Sequence, residues 1–455
     1  MMDTETKRKI GADKIFLLGL FALSLLIAHI IVKSRTGIIL SSPIELPNSG
    51  LSIPLPEKNG WQTQKNWRYE QNNFTLNAFF KPGIAGVSAN VQCTYVLADE
   101  RESIQVWLEQ RAREYLGNIK QQDQKQVGDL KFDWILLSDE QDYANILIAT
   151  AQLPHGRWLD IEILDTTLES NEAVRIFKAV VSGINFENNE LLAAGIEAVE
   201  YIKNTGLNSL VETQEEVRYF LIKKDAGGED MGFSMEYTLL TEANRSIEMV
   251  GYLYVKSQRA REEASLFQSD SHIDRFFWNS KASNGRISSS VELNLTERYI
   301  LTEIGTTAQG FERRHFLSKA AIPRAVMETL FKILFKQEKT SVIVDIIYSQ
   351  GMVRPVLVTL ETKIENSKTV HLAKVQHLEN LRNGEEYYFD DQMILDKIII
   401  RQDTDILLER STMDELLQKF PEREDVIIER SQSFESRRNI EKPTEDNRNE
   451  TIRTI

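Results

Sequence analysis

Hydrophobic and polar positions divide the chain into one unbroken apolar run and a long patterned body. The run, Ile15 to Val32, reads IFLLGLFALSLLIAHIIV and carries no formal charge. As a helix it would span roughly 27 Å at about 1.5 Å per residue, close to a hydrocarbon core of about 30 Å. It has no polar face at any helical period, so the pattern predicts a transmembrane signal anchor over 15–32 and not a core helix. It ends in Lys33-Ser34-Arg35 with no small-x-small site after it, which argues against cleavage. Lys7, Arg8, Lys9 and Lys14 precede it, and only Lys33 and Arg35 follow closely. The N-terminus is therefore expected in the cytoplasm and the bulk of the chain outside the cell membrane, in the periplasm of a Gram-negative host. Residues 1–14 form the cytoplasmic tail, and 33–50, with Pro43, Pro47 and Gly50, a spacer.

From Leu51 the pattern becomes that of alternating strands. Phe74–Phe80 and Val87–Leu97 are joined by a turn at Lys81-Pro82-Gly83, and Lys131–Leu137, Ala144–Gln152 and Trp158–Leu164 follow. In the last of these, Leu159, Ile161 and Ile163 alternate with Trp158, Asp160 and Glu162, which gives two different faces. Two helices are predicted: Ser103–Leu116, and one that starts at Asn171 and ends at Gly183. The order β-β-β-α-β-β-β-α over 51–187 predicts an antiparallel sheet with two packed helices. The opening phrase Ser52-Ile53-Pro54-Leu55-Pro56 with Trp61, and the closing helix Asn171–Gly183, resemble the PsbP/DcrB-like domain. That resemblance implies an accessory or binding domain without a shared active site.

Residues 188–212 contain a helical stretch, Leu191–Ile202, which Gly195 and Gly206 mark as a linker helix. Over 213–430 short strands follow one another, with turns at Gly227-Gly228, Asn284-Gly285 and Asn383-Gly384, and they predict a large antiparallel sheet. One helix, 323–336, interrupts them. Arg324, Glu328, Lys332 and Lys336 form a narrow polar stripe on it, and apolar residues cover nearly everything else. A helix so apolar must be enclosed, and a curved sheet wrapped round it is the natural solution. Many strands gripping one helix resembles the LolA/LolB-like half-barrel, whose members bind lipid or acyl chains between sheet and helix. The resemblance implies a ligand cavity between sheet and helix, and Val326, Met327, Leu330, Phe331 and Leu334 of this helix are the candidates to line it. The alternative is an interior filled by the sheet's own side chains. A last short helix, Ser411–Phe420, is read with Ser411 and Asp414 as its capping pair, and 431–455, polar and poor in apolar residues, as disordered.

The fold class expected is thus α+β: an N-terminal transmembrane helix, an antiparallel sheet domain with two packed helices, and a larger curved antiparallel sheet round one helix.

Charge and chemistry narrow the function further. The net charge is −14; the first 35 residues are +3 and the last 25 neutral, so the body carries −17. An acidic body argues against nucleic acid as a partner. Cys93 is the single cysteine, which excludes an intramolecular disulfide, and the run VQCTYVL reads as a buried strand. There is no HExxH, GxSxG, P-loop or CxxC motif. His371 and His377, six apart on a strand, would lie about 20 Å from each other and cannot share a metal. Asp390-Asp391 and the pair Asp403 and Asp405 read as loop solvation before a calcium site. No catalytic residue, cofactor or metal is expected. The chain reads as a single-pass, membrane-anchored envelope protein, non-enzymatic, binding a lipid, an acyl chain or a partner segment. The alternatives are a structural or docking subunit of an envelope complex and, behind it, an unrecognised hydrolase.

Overall fold

A computed structural model of the protein describes residues 38–441 apart from short stretches, of which 81–87, 139–143 and 212–216 are the longest. The expected anchor 15–32 and its tail lie outside the described residues, as does 442–455. Among the described residues no helix is long and apolar enough to cross a membrane. The described residues are 54% strand and 25% helix, which makes the structure mostly β and corrects the expected α+β class.

The first unit holds β1 (Ile44–Glu45), β2 (Leu51–Ile53), β3 (Trp61–Arg68), β4 (Asn73–Phe80) and β5 (Ala89–Val96), then helix α1 (Ile104–Glu114). It continues with β6 (Asn118–Val127), β7 (Leu130–Ser138), β8 (Asn145–Leu153), β9 (Arg157–Asp165), helix α2 (Glu172–Ser182) and β10 (Asn185–Phe186). The main sheet is ordered β3-β4-β5-β9-β8-β7-β6, and β1, β2 and β10 make a smaller one. The alternation along β9 sorts its two faces. Leu159, Ile161 and Ile163 join Trp134 and Phe177 in the core beneath α2. On the other face Ile135, Leu137, Ile146 and Ile148 pack under Leu108 and Ala112 of α1. There Asp160 pairs with Arg101 at 2.8 Å and Glu162 with Arg111 at 2.6 Å. Cys93 is buried in β5, and burial pushes its thiol up to about 12, far from a reactive thiolate.

The second unit begins with α3 (Glu190–Thr205) and α4 (Leu207–Leu210). A long meander follows: β11 (Arg218–Lys224), β12 (Asp230–Thr241), β13 (Ser246–Val255), β14 (Arg261–Asp270), β15 (Phe276–Asn284), β16 (Ile287–Leu295), β17 (Tyr299–Thr306) and β18 (Gly310–Phe316). After β19 (Ala321–Pro323) and α5 (Met327–Lys336) comes a second meander. It consists of β20 (Ser341–Ile347), β21 (Val353–Glu365), β22 (Lys368–His377), β23 (Asn380–Phe389), β24 (Leu395–Arg401) and β25 (Ile406–Ser411). Helices α6 (Met413–Lys419) and α7 (Glu424–Glu441) close the described chain.

All these strands form one 15-stranded sheet that counts down from β18 to β11, steps to β25, and counts down again to β19. Its two edges, β18 and β19, are consecutive in sequence and separated by 317–320 alone. So short a connection reaches at most about 18 Å. A flat sheet of this many strands would hold its edges on the order of 65 Å apart. The sheet therefore curls into a nearly closed barrel. A close approach between its two arms agrees: a Cβ on Gly351, in the turn after β20, would lie 2.4 Å from Thr302 Oγ1 of β17.

Several helices, not one, accompany this sheet. α5 follows a single 3-10 turn, Arg324–Val326, and Pro323 ends β19 without entering the helix. α3 and α4 share the interior with α5 through Ala198, Val199, Ile202 and Leu207. This corrects the linker reading of 188–212. Gly195 is there for close contact, since a Cβ on it would lie 1.9 Å from the Ile343 carbonyl oxygen of β20. α6 and α7 lie on a separate apolar cluster formed with β11–β13, where Leu416, Phe420, Ile427 and Phe434 meet Phe233, Tyr237 and Tyr254. The expected disorder of 431–455 is thereby corrected for 431–441. Ile427, Ser431 and Phe434 are buried at helical spacing, and Arg437 pairs with Glu248. The α6 cap is Thr412, whose hydroxyl accepts the Glu415 N–H at 3.3 Å, while Ser411 bonds the Glu415 side chain.

One buried ion pair joins the two units. Arg157, the first residue of β9, lies 3.2 Å from Asp345 of β20, with side chains 3% and 1% exposed. Arg157 also donates to the Tyr95 hydroxyl at 2.6 Å, and Ser318 donates to Asp345.

Candidate functional site

Among the described residues the interior round α5 is closely packed. Val326, Leu330, Phe331 and Leu334 are fully buried and Met327 nearly so. Of these five residues Met327 lines a cavity whose walls are made by described residues. That cavity, about 180 Å³, lies at the N-terminal end of α5. Phe267, Trp278, Leu395 and Ile398 make its apolar wall, and Arg218, Glu328, Arg324 and Tyr387 its polar side.

The polar side is built from the stripe on α5. Glu328 accepts from Arg218 of β11 at 2.6 Å and faces Lys332 one turn on at 3.3 Å, while Arg218 also approaches Glu236 at 3.4 Å. Burial pushes the Glu328 carboxyl up, but Arg218 and Lys332 outweigh it and hold the group below its usual range. Arg324 donates to Glu385 of β23 at 3.0 Å, and the Tyr387 hydroxyl donates to the same carboxylate. Glu385 is lowered in the same way, burial opposing and Arg324 prevailing. The Glu385 charge raises Arg324 well above its ordinary value, and burial raises Tyr387.

Glu385 also lines a second, larger space. An open cleft of about 600 Å³ runs along one rim of the barrel, past the ends of β11, β12, β21, β22, β23, β24 and β25. Lys224, Arg354, His377 and Arg401 line it. The triad Arg324–Glu385–Tyr387 thus separates an inner, half-apolar cavity from an outer, basic cleft.

His371 and His377 take different partners, as their spacing required. His371 bonds Thr362 Oγ1 at 3.0 Å and packs on Phe335. His377 lies 3.3 Å from Arg354 through Nδ1 and 3.2 Å from the Tyr348 hydroxyl through Nε2. A guanidinium only donates, so Nδ1 accepts and Nε2 carries the hydrogen given to Tyr348. Asp390 accepts the N–H groups of Gln392 and Ile394 at 2.9 and 2.8 Å and so orders a turn. Among the described residues no group of three or more His, Cys, Asp or Glu side chains is placed to hold a metal.

With both carboxylates lowered in the folded state, the linkage has a definite sign. Their contribution to stability is complete above the ordinary carboxylate value of 4.5 and is lost as pH falls through the lowered values. The urea midpoint is expected to drop steeply below about pH 4.5, and the Glu328→Gln/Glu385→Gln double variant should lose part of that slope. An unchanged slope in the double variant would show that these pairs do not govern acid stability.

No family model matches the chain, and no curated protein matches it. Among solved structures it is similar to a beta-barrel-like protein of the domain of unknown function DUF1849 from Brucella abortus. Identity is 8%, the match covers 43% of this chain and 95% of that one, and the TM-score is 0.35. A likeness at that score carries no argument about fold or function, and it bears on neither the PsbP/DcrB-like nor the LolA/LolB-like resemblance.

Sequence reasoning found α5 and its polar stripe but missed the cleft. Lys224, Arg354, His377 and Arg401 come from separate strands of two meanders. No local motif joins them, and only the register of the sheet brings them together.

Proposed function

We propose that the protein is a non-enzymatic docking subunit of the cell envelope, presenting two locked sheet units to protein partners. The observation that carries this reading is the close packing of described side chains round α5. The helix expected to line a lipid cavity is buried against its own sheet, and the cavity beside it, about 180 Å³, is smaller than the ~300–1,000 Å³ of ordinary ligand sites. Carriage of a whole acyl chain would need that interior emptied. The PsbP/DcrB-like resemblance of 51–187, with its accessory or binding members, points the same way. An extracytoplasmic location rests on the charge asymmetry about the apolar run 15–32.

The test pairs two measurements on the full chain. Crosslinking in native membranes is expected to return a defined protein partner, and solvent extraction of the purified protein to return no lipid in stoichiometric amount. Stoichiometric lipid with no partner would reverse the reading in favour of carriage.

A further inference from the structure

The rim cleft is the largest cavity described above, and docking through the outer surfaces gives it no role. Its lining is basic in a strongly acidic protein. Lys224 and Arg354 bring two cations to it, Arg401 is already paired with Glu386 and Asp405, and among the described residues Glu385 is the one acid on the lining itself. That acid is already engaged by Arg324 and Tyr387, and its side chain is 13% exposed. An adjoining hollow of about 230 Å³ shares Asn383, Glu385 and Arg401 and adds Lys374, Arg382 and the acid Glu386.

Both guanidinium groups are held in place. Glu386 takes one Nη of Arg401 at 2.8 Å and Asp405 takes the other, so that its fork is occupied. Arg354 is aligned by His377 and lies over the Tyr348 ring at 5.7 Å. A fixed guanidinium such as that of Arg354 loses little freedom on meeting a carboxylate or phosphate, whose oxygens match its planar fork. The donors Asn383, Gln402 and Thr404 add neutral hydrogen-bonding capacity, and Met231, Ile400 and Ile406 supply apolar surface beside the charges. The body's negative field works against collecting free anions, so a local set of fixed cations is what an anionic head group would need.

We propose that this cleft binds a small organic anion, its carboxylate or phosphate head on Arg354 and Lys224 and its apolar part on Met231, Ile400 and Ile406. The site is independent of the docking reading, because it uses neither the outer faces nor the packed interior round α5.

The test is calorimetric titration of the full-length protein in detergent at low salt with hexanoate, hexyl phosphate, inorganic phosphate and hexanol. Saturable binding of hexanoate, hexyl phosphate or both is expected, weakening as salt is added, with none for hexanol. The anion that binds more tightly names the head group. Arg354→Gln should weaken binding at least tenfold. Lys224→Gln, at an exposed position that does not threaten the fold, should weaken it several-fold. A parent-like Tm for Lys224→Gln keeps the comparison interpretable if Arg354→Gln misfolds. The proposal is overturned if neither organic anion binds, if hexanol binds as well as they do, or if a Lys224→Gln protein of native Tm binds like the parent. Inorganic phosphate binding as tightly as hexyl phosphate would remove the apolar half of the site.

Discussion

Replacing Arg157 with methionine is expected to destabilise the protein by about 3–5 kcal/mol, the range for removing one partner of a buried ion pair. The reason is what remains. Asp345, 1% exposed, would keep a Ser318 contact but lose the guanidinium 3.2 Å away, and the Tyr95 hydroxyl would lose its donor at 2.6 Å. The double variant Arg157→Met/Asp345→Leu removes both charges, and apolar replacement of a buried pair is often near neutral. It should therefore recover much of the loss. Urea denaturation of the two single variants and the double variant closes the cycle. Limited proteolysis should show the singles cut more readily between the two units. A cost below 1 kcal/mol for Arg157→Met, or simple additivity in the double, would mean that the pair is not what holds the units together.

The second large effect is expected at Phe331. Its ring is fully buried on α5, with Tyr387 at 4.9 Å and Phe389 at 6.3 Å between ring centres. Phe331→Ala should cost about 3–5 kcal/mol, through lost transfer energy and a cavity that the encircling sheet cannot collapse. Phe335, one turn on and only partly buried, should cost clearly less on the same substitution. Thermal and urea unfolding measure both. Near-equal small losses would indicate a loosely filled barrel and would reopen the question of an interior ligand.

How much of this was legible in the sequence depended on whether a segment has a buried face. β9 and α5 each carry a clean apolar period and were found, α5 with its start set too early, since Pro323 belongs to β19 and the helix begins at Met327. β3 and β6 were missed for the opposite reason. They are the two edges of the first sheet, where Gln62–Lys65 and 118–124 face solvent and show no alternation. α3 misled because glycine in a helix usually weakens it, whereas Gly195 marks a close helix–strand crossing. α7 misled because its apolar content is confined to one narrow stripe containing Ile427 and Phe434. The basic cleft could not be read at all, since a binding surface made by sheet register leaves no spacing in the chain.

The pairing of β11 with β25 sets an order of assembly. Nearly every other strand contact in the large sheet lies between neighbours in sequence, so each meander can zip locally as a chain of hairpins. β11 and β25 pair Tyr219 with Ser411 and Lys224 with Ile406, residues roughly 190 positions apart. Such a junction bears the loop-closure entropy for the whole unit, and non-local pairings of this kind are intrinsically slow. Until it forms, two half-built ribbons expose unpaired edges, and those edges are where a nascent copy of this chain is most open to joining its neighbour instead of itself.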